Sequence, residues 1–201
     1  MIVVVRHGQD QDNAQGILNG HRDLALTEVG QAQMRLVATQ LQQMQIDVIV
    51  TSPLRRAITS AQIIADYLNN PQTVINPKLI ERDFGCLTGK LIAEIPYYAS
   101  AILAVDGVNY FLDASGAESF PNLLKRARQV LSDLQVTYPS QNLLLVTHGD
   151  MAKMLRSAYY GWDWEEGLRT PYLSNAGLLY LHNAKSATLA CQPSKSENSL
   201  I

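Results

Sequence analysis

The stretch "MIVVVRHG", residues 1–8, decides how this chain is read. An apolar run stops abruptly at Arg6, His7 and Gly8, and "NLLLVTHG", residues 142–149, ends the same way at His148 and Gly149. Unbroken aliphatic runs of this length are strands buried on both faces. Such a strand needs neither a histidine nor an arginine at its end. In an open α/β sheet, ligands bind beyond the carboxyl ends of the strands. If the two strands are neighbours, about 4.8 Å apart, His7 and His148 meet at one rim.

Working outward, strand and helix patterns alternate, which predicts a parallel sheet covered by helices. Thr27 to Met44 reads as a helix capped by Thr27, with Val29, Ala32, Leu36, Val37, Leu41 and Met44 inward. "IDVIV" (46–50) is a second strand. Ser52 and Pro53 open a helix running to Leu68, with Ser52 as cap and Ala57, Ala61, Ile64 and Leu68 inward. "TVI" (73–75) is a third strand. Periodicity fades from about 85 to 116, an insertion with at most one short helix. Ser119 starts another helix, Met151 to Tyr160 forms a further one, and 177–182 with 187–191 reads as a terminal hairpin. The expected architecture is a three-layer α/β sandwich with a mostly parallel central sheet flanked by helices. The expected organisation is one domain over 1–192, a lid-like insertion at about 85–116, and a polar tail at 193–201.

The composition is that of an ordinary globular chain of 201 residues, 47% hydrophobic and 17% charged. A net charge of −2 argues against a nucleic-acid or anionic-membrane partner. Cys86 and Cys191 form no disulfide or metal-binding pattern, and the apolar start is too short and too uncharged for a signal peptide. A cytoplasmic protein is expected, with its oligomeric state, monomer or homodimer, left open.

"TSPLRRA" (51–57) adds Arg55 and Arg56 in the first turn of a helix at the same rim. A helix start attracts anions, so two histidines, an arginine or two and a helix start make a phosphate pocket. Two histidines also suggest a metal, but no third ligand has metal-like spacing and the arginines would repel a dication. No metal or cofactor is expected.

These motifs, in this order, make the chain resemble the histidine phosphatase superfamily, which includes the cofactor-dependent phosphoglycerate mutases. R-H-G-x-x-x-x-N matches Arg6, His7, Gly8 and Asn13. "GHRDLALTEVG" matches a second signature at Gly20, Asp23, Leu26, Thr27 and Gly30. "SPLRRA" aligns the second phosphate arginine with Arg56. "LIERDFGCLTG" resembles the general-acid loop, with the acid at Glu81 and Asp83 its rival by proximity. "GAES" resembles a phosphatase-branch motif at Gly116, Glu118 and Ser119, and "VTHG" supplies His148.

The resemblance implies a phosphoglycerate mutase-like fold and covalent catalysis by His7. Arg6, Arg56 and His148 would hold the phosphoryl oxygens, Asn13 and Gly149 would assist, and Glu81 would be the general acid. His21, Arg22 and Arg82 are candidate leaving-group contacts. His182 is expected to be structural and Cys86 to be packing. Two departures stand out: Asp10 occupies the usual Ser/Thr position and should point away or pair with an arginine, and Lys153 stands where many members have arginine.

The expected activity is hydrolysis of a small phosphate ester through a phosphohistidine. A phosphoglycerate mutase and a catalytically silent phospho-ligand module are the alternatives, and the silent module is disfavoured by the presence of His7, Glu81 and the arginines. Between 83 and 124 a single basic residue, Lys90, faces Asp83, Glu94, Asp106, Asp113 and Glu118. A mutase gripping a second phosphate needs more cations there. Tyr97, Tyr98, Tyr110 and Phe111 suggest apolar contact instead, hence a less anionic alcohol.

Overall fold

Successive strand residues point to opposite faces, and in the inner strands nearly every residue is apolar and buried. The structure, a computed structural model, describes residues 1–182. β1 (Ile2–Arg6) is followed by α1 (Gln11–Gln15), α2 (Glu28–Leu41), β2 (Val48–Thr51), α3 (Arg55–Tyr67) and β3 (Gln72–Ile75). The insertion holds α4 (Ile95–Tyr98), β4 (Ile102–Val105) and β5 (Val108–Phe111). Then come α5 (Phe120–Thr137), β6 (Leu143–Thr147), α6 (Gly149–Tyr160), α7 (Trp164–Leu168) and β7 (Leu178–Leu181).

The main sheet runs β3-β2-β6-β1-β7. All its pairings are parallel except β1 with β7. Val3, Val5, Ile49, Leu144 and Val146 pack under α2 and α3. Val4, Val50, Leu143 and Leu145 pack under α5 and α6. The fold is therefore the expected three-layer sandwich. Burying one such side chain contributes roughly 1.5–3 kcal/mol, so these two large clusters hold the fold. The third, Phe84, Leu87, Ile95, Ala99, Phe111 and Ala114, belongs to the insertion.

Gly8 and Gly30 explain one another. A Cβ on Gly8 would strike the backbone carbonyl of Gly30, and one on Gly30 would strike Gln9. This contact sets the rotation of α2. Gly30, Met34, Val37, Ala38 and Leu41 face inward, while Val29, Ala32 and Leu36, expected inward, are exposed.

Other expectations also shift. α3 starts at Arg55 with Leu54, which has no side-chain acceptor, at the cap position, while Ser52 lies two residues ahead of it and contacts His148. α6 starts at Gly149, with His148 at its cap position. The insertion contains an antiparallel hairpin where none was expected; β4 and β5 form a separate two-stranded sheet. Its turn is Asp106-Gly107, both with positive φ (49° and 78°), the pair favoured by tight hairpins. β7 pairs with β1, and the second half of the expected terminal hairpin, the tail and Cys191 lie outside the described residues. Cys86 is exposed rather than packed. His182 is exposed and stacks on Tyr180.

Candidate active site

β1 and β6 are hydrogen-bonded neighbours, with Arg6 opposite Thr147. The ladder continues one residue further, His7 N–H donating to the Thr147 carbonyl at 2.9 Å. The two histidine rings therefore lie 5.0 Å apart, about one strand spacing. Both are fully buried.

The His7 tautomer follows from its partner. Nδ1 lies 2.7 Å from the Gly8 carbonyl, which can only accept, so Nδ1 carries the hydrogen. Nε2 is left with its lone pair and accepts from Arg56 Nε at 3.2 Å. Burial, then Arg56 and Arg6, hold the His7 pKa well below the usual histidine value. The ring is neutral, and its free lone pair faces an arginine.

His148 is arranged differently. Ser52 Oγ, which accepts from Leu54 N–H at 3.4 Å, lies 2.7 Å from His148 Nε2. Where the serine donates to Nε2, Nδ1 carries the ring hydrogen. Burial, followed by the charge of Arg56, keeps this histidine neutral as well. Its Nδ1 has no partner.

Among the described residues four buried side-chain nitrogens or oxygens have no partner, and three belong to Arg6, His148 and Arg82. Buried donors are nearly always satisfied. Such a concentration at one rim marks where an acceptor-rich ligand belongs.

Arg56 is completely buried. Its Nε sits between His7 and Asp10 Oδ2 (3.3 Å), and Nη2 donates to the Gly20 carbonyl at 2.8 Å. Asp10, the departure from the family pattern, thus pairs with the arginine. It also caps α1 and accepts from Asn19 Nδ2 at 2.7 Å. Arg6 lies over the Tyr172 ring and donates to the Leu173 carbonyl at 2.9 Å. Arg55 does not join it; its backbone N–H donates to Asp23.

Glu81 is 5% exposed. Its carboxylate accepts from Arg82 N–H (2.9 Å) and from two N–H groups at the start of α6, Met151 (3.2 Å) and Asp150 (3.4 Å). Burial, and secondly the Asp150 charge, nonetheless raise its pKa above the ordinary carboxylate value. A raised pKa suits an acid that must hold a proton. Asp83 is half-buried and accepts from Gly85 N–H at 2.9 Å, a turn role that separates it from its rival.

A cavity of about 240 Å³ joins Arg6, Asn13 and Glu81 to the underside of the hairpin. Asn13 Oδ1 accepts from Asn175 at 2.8 Å. The space beside Gly149 is taken by Tyr172, whose hydroxyl a Cβ there would meet at 2.8 Å.

The expected leaving-group contacts divide. Arg82 lines the cavity but is largely committed, to Asp150 (2.8 Å) and the Phe111 and Glu118 carbonyls. His21 and Arg22 do not line it. His21 bonds the Glu81 carbonyl at 2.8 Å, and Arg22 pairs with Asp12 at 2.7 Å. Lys153 is buried against the Leu168 carbonyl and the Tyr110 ring, away from the histidines' bonds.

Sequence reasoning missed Ser52 as a histidine partner, Asp150, Asn19 and Tyr172. Ser52 and Asp150 flank motif residues and so carried a usable signal. Tyr172 sits in an aperiodic loop and carried none. Among the described residues no group of three or more His, Cys, Asp or Glu could hold a metal.

Comparison with known proteins agrees with this geometry. The family model of the histidine phosphatase superfamily (branch 1) matches residues 2–189. A putative phosphoserine phosphatase 2 of Hydrogenobacter thermophilus is 32% identical over 184 residues, 90% of this chain and 88% of that protein. A metal-independent phosphoserine phosphatase of Arabidopsis thaliana is 32% identical over 89% of this chain and 71% of its own. The solved phosphoserine phosphatase of Entamoeba histolytica, in complex with 3-phosphoglyceric acid, superposes with a TM-score of 0.72 at 27% identity, covering 88% and 87% of the two chains. Mutases also match, one from Brucella melitensis at 29% identity over 92% of this chain and 93% of its own.

Proposed function

Since the chain belongs to the histidine phosphatase superfamily, branch 1, we propose that it hydrolyses small phosphate monoesters through a phosphohistidine at His7, without a metal. The observation that carries this reading is the His7 tautomer: Nδ1–H is tied to the Gly8 carbonyl and Nε2 is left as a lone pair among arginines.

Arg56 Nε–H points at the very lone pair that must attack. It turns to the phosphoryl oxygens as the ester binds, releasing Nε2. Arg6, Arg56 and His148 Nδ1–H then hold the three oxygens over which the transition state spreads charge. Nε2 attacks phosphorus. The N–P bond forms as the ester P–O bond breaks, and Glu81 gives its proton to the leaving oxygen. Glu81, now a carboxylate, takes a proton from water. The water oxygen attacks phosphorus, the N–P bond breaks with its electron pair returning to Nε2, and inorganic phosphate leaves.

Water is favoured over a sugar-acid acceptor by the shortage of cations between 83 and 124, where Lys90 is the sole basic residue. The insertion is proposed to act as a lid over the cavity. The cysteine usage supports a cytoplasmic setting, and no helix among the described residues is long and apolar enough to cross a membrane.

His7→Ala should lower turnover by more than ~10³-fold, since no other group can carry the phosphoryl. Acid quenching during turnover, in excess EDTA, should trap an acid-labile phosphoprotein in the unsubstituted enzyme only. Phosphate trapped on another residue, or activity abolished by EDTA and restored by a divalent metal, would overturn the assignment.

A further inference from the structure

The cavity beyond the phosphate groups has an unusual balance of charge. Its walls are apolar: Ile17, Leu18, Phe84, Ile95, Val108 and Phe111. Four charged residues reach it, Arg6, Glu81, Arg82 and Asp150. Arg6 is needed for the phosphoryl group and Glu81 for the proton. Arg82 and Asp150 answer each other at 2.8 Å. The Arg82 guanidinium is also held against two rings, 3.9 Å from the Phe111 centroid and 4.1 Å from that of Phe120. No charge of either sign remains for a second ionic group on the substrate.

Hydrogen-bonding groups without a free net charge do remain. Arg82 Nη2 is buried without a partner. Asn19 and Asn109 line the same space. An N–H whose positive charge is already compensated serves a hydroxyl or ether oxygen well. A carboxylate brought there would meet Asp150 too, and an ammonium would find no free anion. Burying either without a counter-charge is costly.

Resting on the hydrolase reading, we propose that the substrate's alcohol is neutral, with a compact apolar body and at most one or two hydrogen-bonding oxygens, and that carboxylated or zwitterionic esters are disfavoured. The volume of about 240 Å³ lies below the roughly 300–1,000 Å³ of sites for drug-sized ligands. A single ring or a short branched chain fits.

The test compares kcat/KM for benzyl phosphate, O-phospho-L-serine and 3-phosphoglycerate, with p-nitrophenyl phosphate as a general reporter. Benzyl and seryl alcohols are both alkyl leaving groups, so the comparison reads the pocket and not the leaving-group chemistry. Benzyl phosphate should be preferred by at least about tenfold, the penalty for an unpaired buried ion being large. Asn109→Arg, at an exposed hairpin position, supplies the missing cation and should shift the ratio towards 3-phosphoglycerate by several-fold. Equal or faster hydrolysis of phosphoserine or 3-phosphoglycerate by the unsubstituted enzyme would overturn the proposal while leaving the hydrolase reading intact. Failure to hydrolyse any ester, p-nitrophenyl phosphate included, would overturn that reading instead.

Discussion

In the proposed cycle Glu81 acts twice with opposite charge, first as acid and then as base. Its raised pKa, from burial and then Asp150, keeps the proton on at pH values where an exposed glutamate has lost it. His7, held down by burial and the arginines, is neutral at pH values where an exposed histidine is charged. The reactive pair in that cycle is His7 above its lowered pKa with Glu81 below its raised one, so kcat/KM for an alkyl ester should be bell-shaped, its acid limb below the ordinary histidine value and its alkaline limb above the ordinary carboxylate value. Glu81→Gln separates the two roles. p-Nitrophenolate departs without a proton, so His7 should still be phosphorylated, but no carboxylate activates water. The expected result is a burst of about one equivalent of nitrophenol per site followed by a slow steady state, with the alkaline fall in kcat/KM for alkyl esters removed. Stopped-flow absorbance reads it; a linear trace at the unsubstituted rate would assign both proton transfers to another group.

Among the elements, the β4–β5 hairpin depends most on two residues. Asp106 and Gly107 both have positive φ, and a side chain there costs about 1–2 kcal/mol. Gly107→Val should therefore quicken amide exchange across Ile102–Phe111 while leaving β1 and β6 protected, since those strands belong to a different sheet. Uniform loss of protection would show that the hairpin and the sheet unfold together. The same element shows where sequence reading stopped. Asp106-Gly107 is the strongest short-range hairpin signal, yet the flanking ILAV and VNYF do not alternate cleanly between apolar and polar, so periodicity alone does not mark them as paired strands. α2, by contrast, was found with its cap, but its inward face was rotated, because the Gly8–Gly30 approach that fixes it is a contact between distant segments. At the site, the motifs carry His7, His148, Arg6, Arg56 and Glu81, whereas Ser52 and Asp150, beside motif residues, are not read from them. His21 and Arg22 lie next to Gly20, whose carbonyl accepts from Arg56, but turn away to the Glu81 carbonyl and to Asp12. Tyr172 reaches Arg6 and Gly149 only through folding.

At the scale of the whole molecule, two buried neutral histidines tie stability to pH. Both have pKa values below that of the unfolded chain, so the unfolded state binds protons first as pH falls. Stability is fully present above the unfolded value and is lost as pH falls below it, by at most about 1.4 kcal/mol per pH unit for each histidine. Glu81 opposes this with its raised pKa, one group against two. Tm should fall between pH 6.5 and 5, and His7→Asn should flatten the slope; an unchanged slope in that variant would mean the ring is not held neutral. The two sheets carry one more consequence. The two histidines are spaced by the ladder of β1 and β6, a ruler that no local change can reset without sliding a strand. The hairpin over the alcohol hydrogen-bonds to no strand of that ladder. On the proposed reading, mutation in the hairpin can therefore change the choice of alcohol while the spacing of the two histidines beneath stays fixed.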